Sequence, residues 1–86
     1  MKQLHQLNYH ITAIIDKIDE SYSNTTDLPP GELELRLLEM GFIPGARLHL
    51  VSRGLFGHDP LAFKLEDSGT IMALRRNEAS AILLKE

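Results

Sequence analysis

Every apolar segment of this chain is short and ends at a cluster of turn-forming residues. Apolar and polar residues alternate at 47–53 and 61–65, while the segments 71–74 and 81–85 are mostly apolar. These lengths and patterns are typical of β-strands, whose successive side chains point to opposite faces of a sheet. The Asp-Ser-Gly-Thr sequence at 67–70 predicts a tight hairpin, in which Gly69 supplies the unusual φ. A small β-rich domain therefore fits this chain best.

Residues 9–18 predict a first strand, because β-branched residues dominate and Ile11, Ala13 and Ile15 alternate. Ile14 breaks this phase, which indicates a β-bulge or a strand buried on both faces. The loop at 21–31 is rich in turn formers and leads from this strand to the next element. Too few residues precede the loop to fold alone, so it is a connection within one domain.

Residues 32–40 form the clearest helix, since Leu33, Leu37 and Met40 recur at helical spacing. Pro29 and Pro30 suit the entry of this helix. Gly41 follows directly and is predicted to take the left-handed conformation of a C-terminal cap. The helix is thus expected to end where a side chain with a Cβ would be disfavoured.

Five further turn, packing and cap positions follow from similar reasoning. Pro44 and Gly45 are expected to turn the chain into the next strand, because proline presets φ and glycine permits a positive φ. Ala73 and Ala79 are small, as close packing near the corner of a barrel requires. Residues 76–80 predict one helical turn, with Asn77 as its cap.

Taken together, the elements predict a mainly β fold. It is a small antiparallel barrel with one α-helix inserted after the first strand and a short helical turn before the last. With 86 residues, the chain is expected to form a single domain, 1–86. The predicted core residues are Leu37, Leu48, Leu50, Phe63, Leu74 and Ile82.

Composition excludes several classes of protein. There is no cysteine, which rules out disulfides, thiolate metal sites and a cysteine nucleophile. The N-terminus shows no signal-peptide pattern, and no apolar run is long enough to span a membrane. Because small domains without disulfides suit a reducing compartment, a cytoplasmic protein without membrane insertion is expected.

The histidines do not have the spacing of a metal site or of a catalytic centre. None of His5, His10, His49 and His58 pairs with another at i, i+4 on a helix, and HExxH is missing. His58 with the adjacent Asp59 is a weak candidate for a metal ligand pair. Because no His, Asp and Glu residues cluster in the sequence, we expect no cofactor and no ferrous iron site. We also expect no enzymatic activity, because so small a domain has little room for a water-excluding pocket.

The segment 54–60 reads Gly-Leu-Phe-Gly-His-Asp-Pro and predicts a loop with an apolar tip. Leu55 and Phe56 would either pack back over the barrel end or meet a partner. Nucleic acid is a rival partner, because small barrels often bind it and four arginines could gather on one side. These are Arg47, Arg53, Arg75 and Arg76. The net charge of −3 and the missing basic stripe argue against it.

Two stretches resemble a known family. Residues 37–46 read Leu-Leu-Glu-Met-Gly-Phe-Ile-Pro-Gly-Ala, and residues 71–79 read Ile-Met-Ala-Leu-Arg-Arg-Asn-Glu-Ala, followed by Ile82. Their order, with the glycine-containing segment 54–60 between them, resembles the FeoA family over residues 28–84. The resemblance implies an SH3-like barrel that acts as an accessory of the bacterial ferrous iron transporter FeoB.

Under this resemblance the function is contact with the cytoplasmic part of the FeoB-type transporter. The partner-binding residues expected are Leu55 and Phe56, followed by the helix face near Arg36 and Glu39. Related domains occur in metal-dependent repressors, so an SH3-like regulatory adaptor that recognises a peptide or a DNA-binding domain is the alternative. The oligomeric state is left open.

Overall fold

The computed structural model describes residues 2–23, 28–56 and 59–85, leaving out the side chains of Leu55 and Phe56. The strands are β1 (Lys2–Gln3), β2 (Ala13–Ile18), β3 (Arg47–Phe56), β4 (Asp59–Leu65), β5 (Ile71–Leu74) and β6 (Ile82–Leu84). The α-helices are α1 (Glu32–Glu39) and α2 (Arg76–Ala79). Two single turns of 3₁₀ helix lie at Leu4–Gln6 and Glu20–Tyr22.

All strand pairs in the sheet are antiparallel, in the order β1-β6-β2-β3-β4-β5. The structure has one strand more than the five predicted, because β1 is too short to give a sequence pattern. Among the described residues, β1 and β5 do not pair with each other, so the barrel is not strictly closed. The expected mainly antiparallel β architecture is otherwise confirmed.

The first long strand, β2, starts later than predicted and contains the irregularity that its sequence indicated. Its register with β6 shifts between Ile15 and Lys17, which confirms the bulge. Ile15 is fully buried, but Ile11 is 51% exposed and lies before the strand begins. The inward alternation expected from Ile11 was therefore wrong at its first position.

Strand β3 is longer than predicted and pairs with β4 in a hairpin. The segment expected as a loop is in strand conformation up to Phe56, whose backbone pairs with Asp59. Gly54 allows this close pairing, since a Cβ there would overlap the carbonyl group of Asp59. The glycine is thus required by close approach of two backbones and not by a positive φ.

Helix α1 begins at a side-chain carboxylate and ends through backbone hydrogen bonds. The carboxylate of Glu20 accepts hydrogen bonds from the N–H groups of Gly31 (3.0 Å) and Glu34 (2.8 Å), which satisfies donors at the start of the helix. At the other end, Gly41 has φ +102° and donates to Leu38, while Phe42 donates to Leu37, both at 3.0 Å. This is a Schellman motif, and it confirms the predicted cap.

Gly45 also has a positive φ, +90°, in the turn that leads into β3. The amide of Gly45 donates to the carbonyl of Ile15, and the amide of Ile15 donates to the carbonyl of Ala46. The Pro44-Gly45 turn therefore joins β2 to the start of β3.

The short helix α2 corrects two expectations. Its N-cap is Arg75, and Asn77 lies inside the helix, so Asn77 was wrongly predicted as the cap. Ala79 is fully buried, but Ala73 is exposed on β5. The close packing expected of the two alanines therefore applies to Ala79 alone.

The core lies between the curved sheet, α1 and the two ends of the chain. All six predicted core residues are buried, which confirms that prediction. Phe42 and Phe63 meet edge to face at its centre, with ring centroids 6.5 Å apart. Further buried residues come from segments that the sequence did not single out, including Leu4 and Leu7 near the N-terminus.

Candidate functional site

The weak candidates for metal ligands do not form a site in the described part of the chain. His58 lies outside the described residues. Asp59 is engaged structurally, because its Oδ1 accepts a hydrogen bond from the backbone N–H of Arg76 at 2.7 Å. His49 approaches Glu66, with 2.6 Å between Nδ1 and Oε2. Among residues 2–23, 28–56 and 59–85, no three His, Asp or Glu side chains form a group that could hold a metal ion.

Leu55 and Phe56, the first predicted partner-binding residues, have side chains outside the described set. Their backbone belongs to β3, opposite the start of β4. The backbone of these two residues therefore extends a paired strand, where the sequence predicted a loop. Their part in partner binding stays a prediction.

The second predicted surface, on α1, is described in full. Arg36 and Glu39 are exposed, and so are Glu32 and Leu35. These four residues recur at helical spacing on the side opposite the buried Leu33 and Leu37. We call them the outer face of α1.

Leu35 is 52% exposed, although it is a large apolar side chain in the middle of a helix. The sequence analysis missed it because neighbouring leucines at 33, 37 and 38 share its residue type. Only the phase of the helix separates it from them: Leu35 is two residues from the buried Leu33 and Leu37. Leu35 therefore places an apolar group beside Glu39, one turn further along, on the outer face of α1.

The four arginines considered for nucleic acid have different surroundings. Arg47 pairs with Asp67 at 3.3 Å. Arg53 donates to the carbonyl of Leu7 at 3.0 Å, and its guanidinium carbon lies 5.5 Å from the centroid of the Tyr9 ring. Two of the four are thus used by local contacts, which does not support a basic stripe for nucleic acid.

Arg75 and Arg76 line a polar cavity of about 550 Å³. Strand β1, both 3₁₀ turns, the start of β4 and the α2 region bring its lining residues together. Besides the two arginines these are Gln3, His5, Tyr22, Asp59, Asn77 and Ser80. We call this the α2 cavity; no sequence pattern indicated it, because its lining comes from four separated segments of the chain.

His5 contributes an uncommon feature to the α2 cavity. Burial, and to a lesser degree the positive charge of Arg76, lowers the pKa of His5 below its ordinary value. The ring nitrogen Nδ1 is buried and has no hydrogen-bond partner in the described part of the structure. His5 is therefore expected to be neutral at pH 7.

A second cavity, of about 450 Å³, has an apolar character. It lies where β1 and β6 meet the start of β2, and exposed Ile11 and Ile14 line it together with Leu7 and Leu84. Lys2 and Lys85 also line it.

In the described ranges, no helix is long and apolar enough to cross a bilayer.

The structure is similar to those of FeoA proteins. FeoA from Stenotrophomonas maltophilia, an SH3 domain protein complexed with zinc, gives a TM-score of 0.75 at 25% identity; 99% of this chain and 91% of that chain are covered. Iron(II) transport protein A from Clostridium thermocellum gives 0.77 at 26% identity, with 98% of this chain and 44% of that chain covered.

A manganese-dependent transcriptional repressor, in complex with manganese, shares the fold. Its TM-score is 0.74 at 21% identity, and the match covers 98% of this chain and 35% of that chain. A comparison with curated protein sequences finds no similar protein.

The FeoA domain family matches residues 2–86. This range includes β1 and β2, which lie outside the 28–84 stretch that carried the sequence resemblance. With the antiparallel sheet, the inserted helix and the likeness to FeoA structures, the fold expected from that resemblance is confirmed. The chain therefore belongs to the FeoA family of SH3-like iron-transport accessory proteins.

Proposed function

We propose that this protein is a cytoplasmic accessory of bacterial ferrous iron uptake that binds the cytoplasmic part of a FeoB-type transporter. The observation that carries the proposal is the match of the FeoA domain family to nearly the whole chain. The protein acts by contact and catalyses no reaction. A single small domain, with its core filled by side chains, is suited to such a role.

The outer face of α1 is the part of the contact surface that the described residues support best. It combines an exposed leucine with an arginine and two glutamates on one rigid element. Arginine is enriched at protein interfaces, and an apolar centre with a charged rim is their usual arrangement. Leu55 and Phe56 are the second part of the proposed surface.

Binding of the purified cytoplasmic domain of the transporter tests the proposal. We expect saturable binding of this chain, weakened about tenfold in a Leu35→Ala/Arg36→Ala variant. A matched control is Ile71→Ala/Lys64→Ala, which also removes one exposed aliphatic and one exposed cationic side chain, but from β4 and β5. Equal loss in both variants would mean that α1 is not the contact surface; no binding by the unmodified chain would contradict the proposed function.

The pair at the end of β3 requires a separate variant with a stability control. Leu55→Ala/Phe56→Ala is expected to weaken binding by about 2 kcal/mol or more while the melting temperature changes little. A loss of several degrees in Tm would show instead that the two side chains stabilise the fold.

A regulatory adaptor is the second candidate, supported by the shared fold with the manganese-dependent repressor. In this role the domain would bind a DNA-binding domain or a peptide in place of the transporter. Affinity capture with the transporter domain and with a repressor DNA-binding domain side by side separates the two functions. Capture of the DNA-binding domain alone would favour the adaptor.

A further inference from the structure

The α2 cavity is positively charged, although the chain as a whole is acidic. Arg75 and Arg76 line it, and Asp59 supplies the one carboxylate among its lining residues. His5 adds no charge at pH 7, because its pKa is lowered. In the described part of the chain, neither guanidinium forms an ion pair within 4.0 Å. The cavity therefore holds two cations without a matching pair of anions.

The carboxylates next to these arginines are already used by backbone groups. Asp59 Oδ1 accepts from the N–H of Arg76 at 2.7 Å, and Glu78 Oε1 accepts from the N–H of Arg75 at 2.9 Å. Both contacts stabilise the start of α2 and involve the backbone of the arginines, not their guanidinium donors. An arginine presents a planar fork of N–H donors that matches a carboxylate in two parallel hydrogen bonds.

Two other polar side chains of the lining, those of Gln3 and Ser80, are hydrogen-bonded within the protein. Gln3 Nε2 donates to the carbonyl of Ser80 at 2.9 Å, and the Ser80 hydroxyl donates to the carbonyl of Asn77 at 2.7 Å. Tyr22 is different, because half of its surface is exposed beside the cavity. An exposed tyrosine next to two arginines that form no ion pair in the described ranges has the composition of an interface hot spot.

We propose that the α2 cavity binds a carboxylate side chain from an acidic segment of the protein partner. Tyr22 packs against the apolar part of that segment, and the two guanidinium groups hold its carboxylate. A volume of about 550 Å³ lies in the range of ordinary ligand pockets. The net charge of −3 disfavours a polyanion such as nucleic acid, whereas a short acidic segment meets only the local positive field. This inference rests on the proposed function and adds the chemistry of the partner.

The first test uses blocked hexaglutamate as the probe, with hexaglutamine as the neutral control. Addition of hexaglutamate to the ¹⁵N-labelled full chain is expected to shift the amide resonances of Tyr22, Arg76 and Ser80. Hexaglutamine is expected to leave them unchanged. Shifts spread over the whole surface, or none at these residues, would overturn the inference.

Variants of matched charge show whether the arginines carry the binding. Arg75→Gln/Arg76→Gln is expected to raise the dissociation constant of hexaglutamate on the order of fivefold or more. The control Lys17→Gln/Lys64→Gln removes the same charge from exposed strand positions and is expected to change it by less than about twofold. Equal effects would mean unspecific attraction and would overturn the inference. If the double arginine variant melts early, Arg75→Gln alone, at an exposed position, serves in its place.

Two further measurements separate other outcomes. If inorganic phosphate at equal ionic strength gives the same shifts and displaces hexaglutamate, the cavity is a general anion site and the inference fails. If Arg75→Gln/Arg76→Gln binds the transporter domain as well as the unmodified chain does, the inference fails but the proposed function stands.

Discussion

Strands β5 and β6 have nearly the same sequence character but opposite environments. β5 reads Ile-Met-Ala-Leu and β6 reads Ile-Leu-Leu. All three residues of β6 are buried, whereas Ile71 at the start of β5 is 56% exposed and only Leu74 is fully buried there. The difference comes from position: β6 lies between β1 and β2, while β5 is the edge strand beyond β4.

The contrast shows that burial of a short apolar strand is set by its neighbours. The 3₁₀ turn at Leu4–Gln6 packs against β6. Strand β1 pairs with the edge of β6 that β2 leaves open. Within the described ranges, β5 pairs with β4 alone. Substitutions at buried and at exposed positions of these elements should therefore differ in their effect on stability.

The largest effect is expected for truncation within β6. Ile82→Ala removes a fully buried side chain and should lower the free energy of unfolding by about 2–5 kcal/mol. Urea denaturation followed by circular dichroism measures this loss. A loss below about 1 kcal/mol would contradict the burial of Ile82 between β1 and β2.

Gly41→Ala is expected to have the next largest effect, because a positive φ and a close neighbour both disfavour a Cβ there. Gly41 has φ +102°, and a Cβ there would come within 2.9 Å of Leu65 Cδ1. Gly45 is a matched control, since its φ is +90° but a Cβ there would meet no described atom beyond its chain neighbours within 4 Å. We expect about 1–2 kcal/mol for Gly41→Ala and a smaller cost for Gly45→Ala, both measured by urea denaturation. Equal costs would show that Leu65 adjusts freely.

Ile71→Ala on β5 should change stability by no more than about 0.5 kcal/mol, because most of that side chain is already in water. Denaturation under the same conditions as for Ile82→Ala gives the comparison directly. Equal destabilisation of the two isoleucine variants would contradict the difference in burial between Ile82 in β6 and Ile71 in β5.

The smallest effect is a pH dependence on the β6 side of the molecule. Burial lowers the pKa of His5 in the folded state, so the unfolded chain binds more protons just below the ordinary value of about 6.5. The stabilisation is complete above that pH and is lost as the pH falls toward the folded-state pKa. His5→Gln should flatten the stability profile below about pH 6.5. A profile for this variant that runs parallel to that of the unmodified chain would contradict the lowered pKa.

The strands, the helix and its end at Gly41 could be predicted from the sequence because their causes are local. Alternation predicted β3 and β4, and a short apolar run predicted β5. A leucine pattern that stops at a glycine predicted α1 and its cap. Leu35 shows the limit of this reasoning. The helix phase that exposes it is present in the sequence, but its residue type alone indicates a buried position.

Spacing along the chain was enough to establish the family resemblance, most of the elements and a core of alternating aliphatic residues. Spacing alone does not show which apolar strand lies between two others and which lies at the edge of the sheet. That depends on which strands pair with it in the folded protein. Folding also brings Glu20 to the start of α1 from 11 and 14 residues away, and it brings Arg75 and Arg76 into one cavity with Tyr22 and His5. These features depend on which distant segments meet when the sheet curves, and no local pattern encodes that.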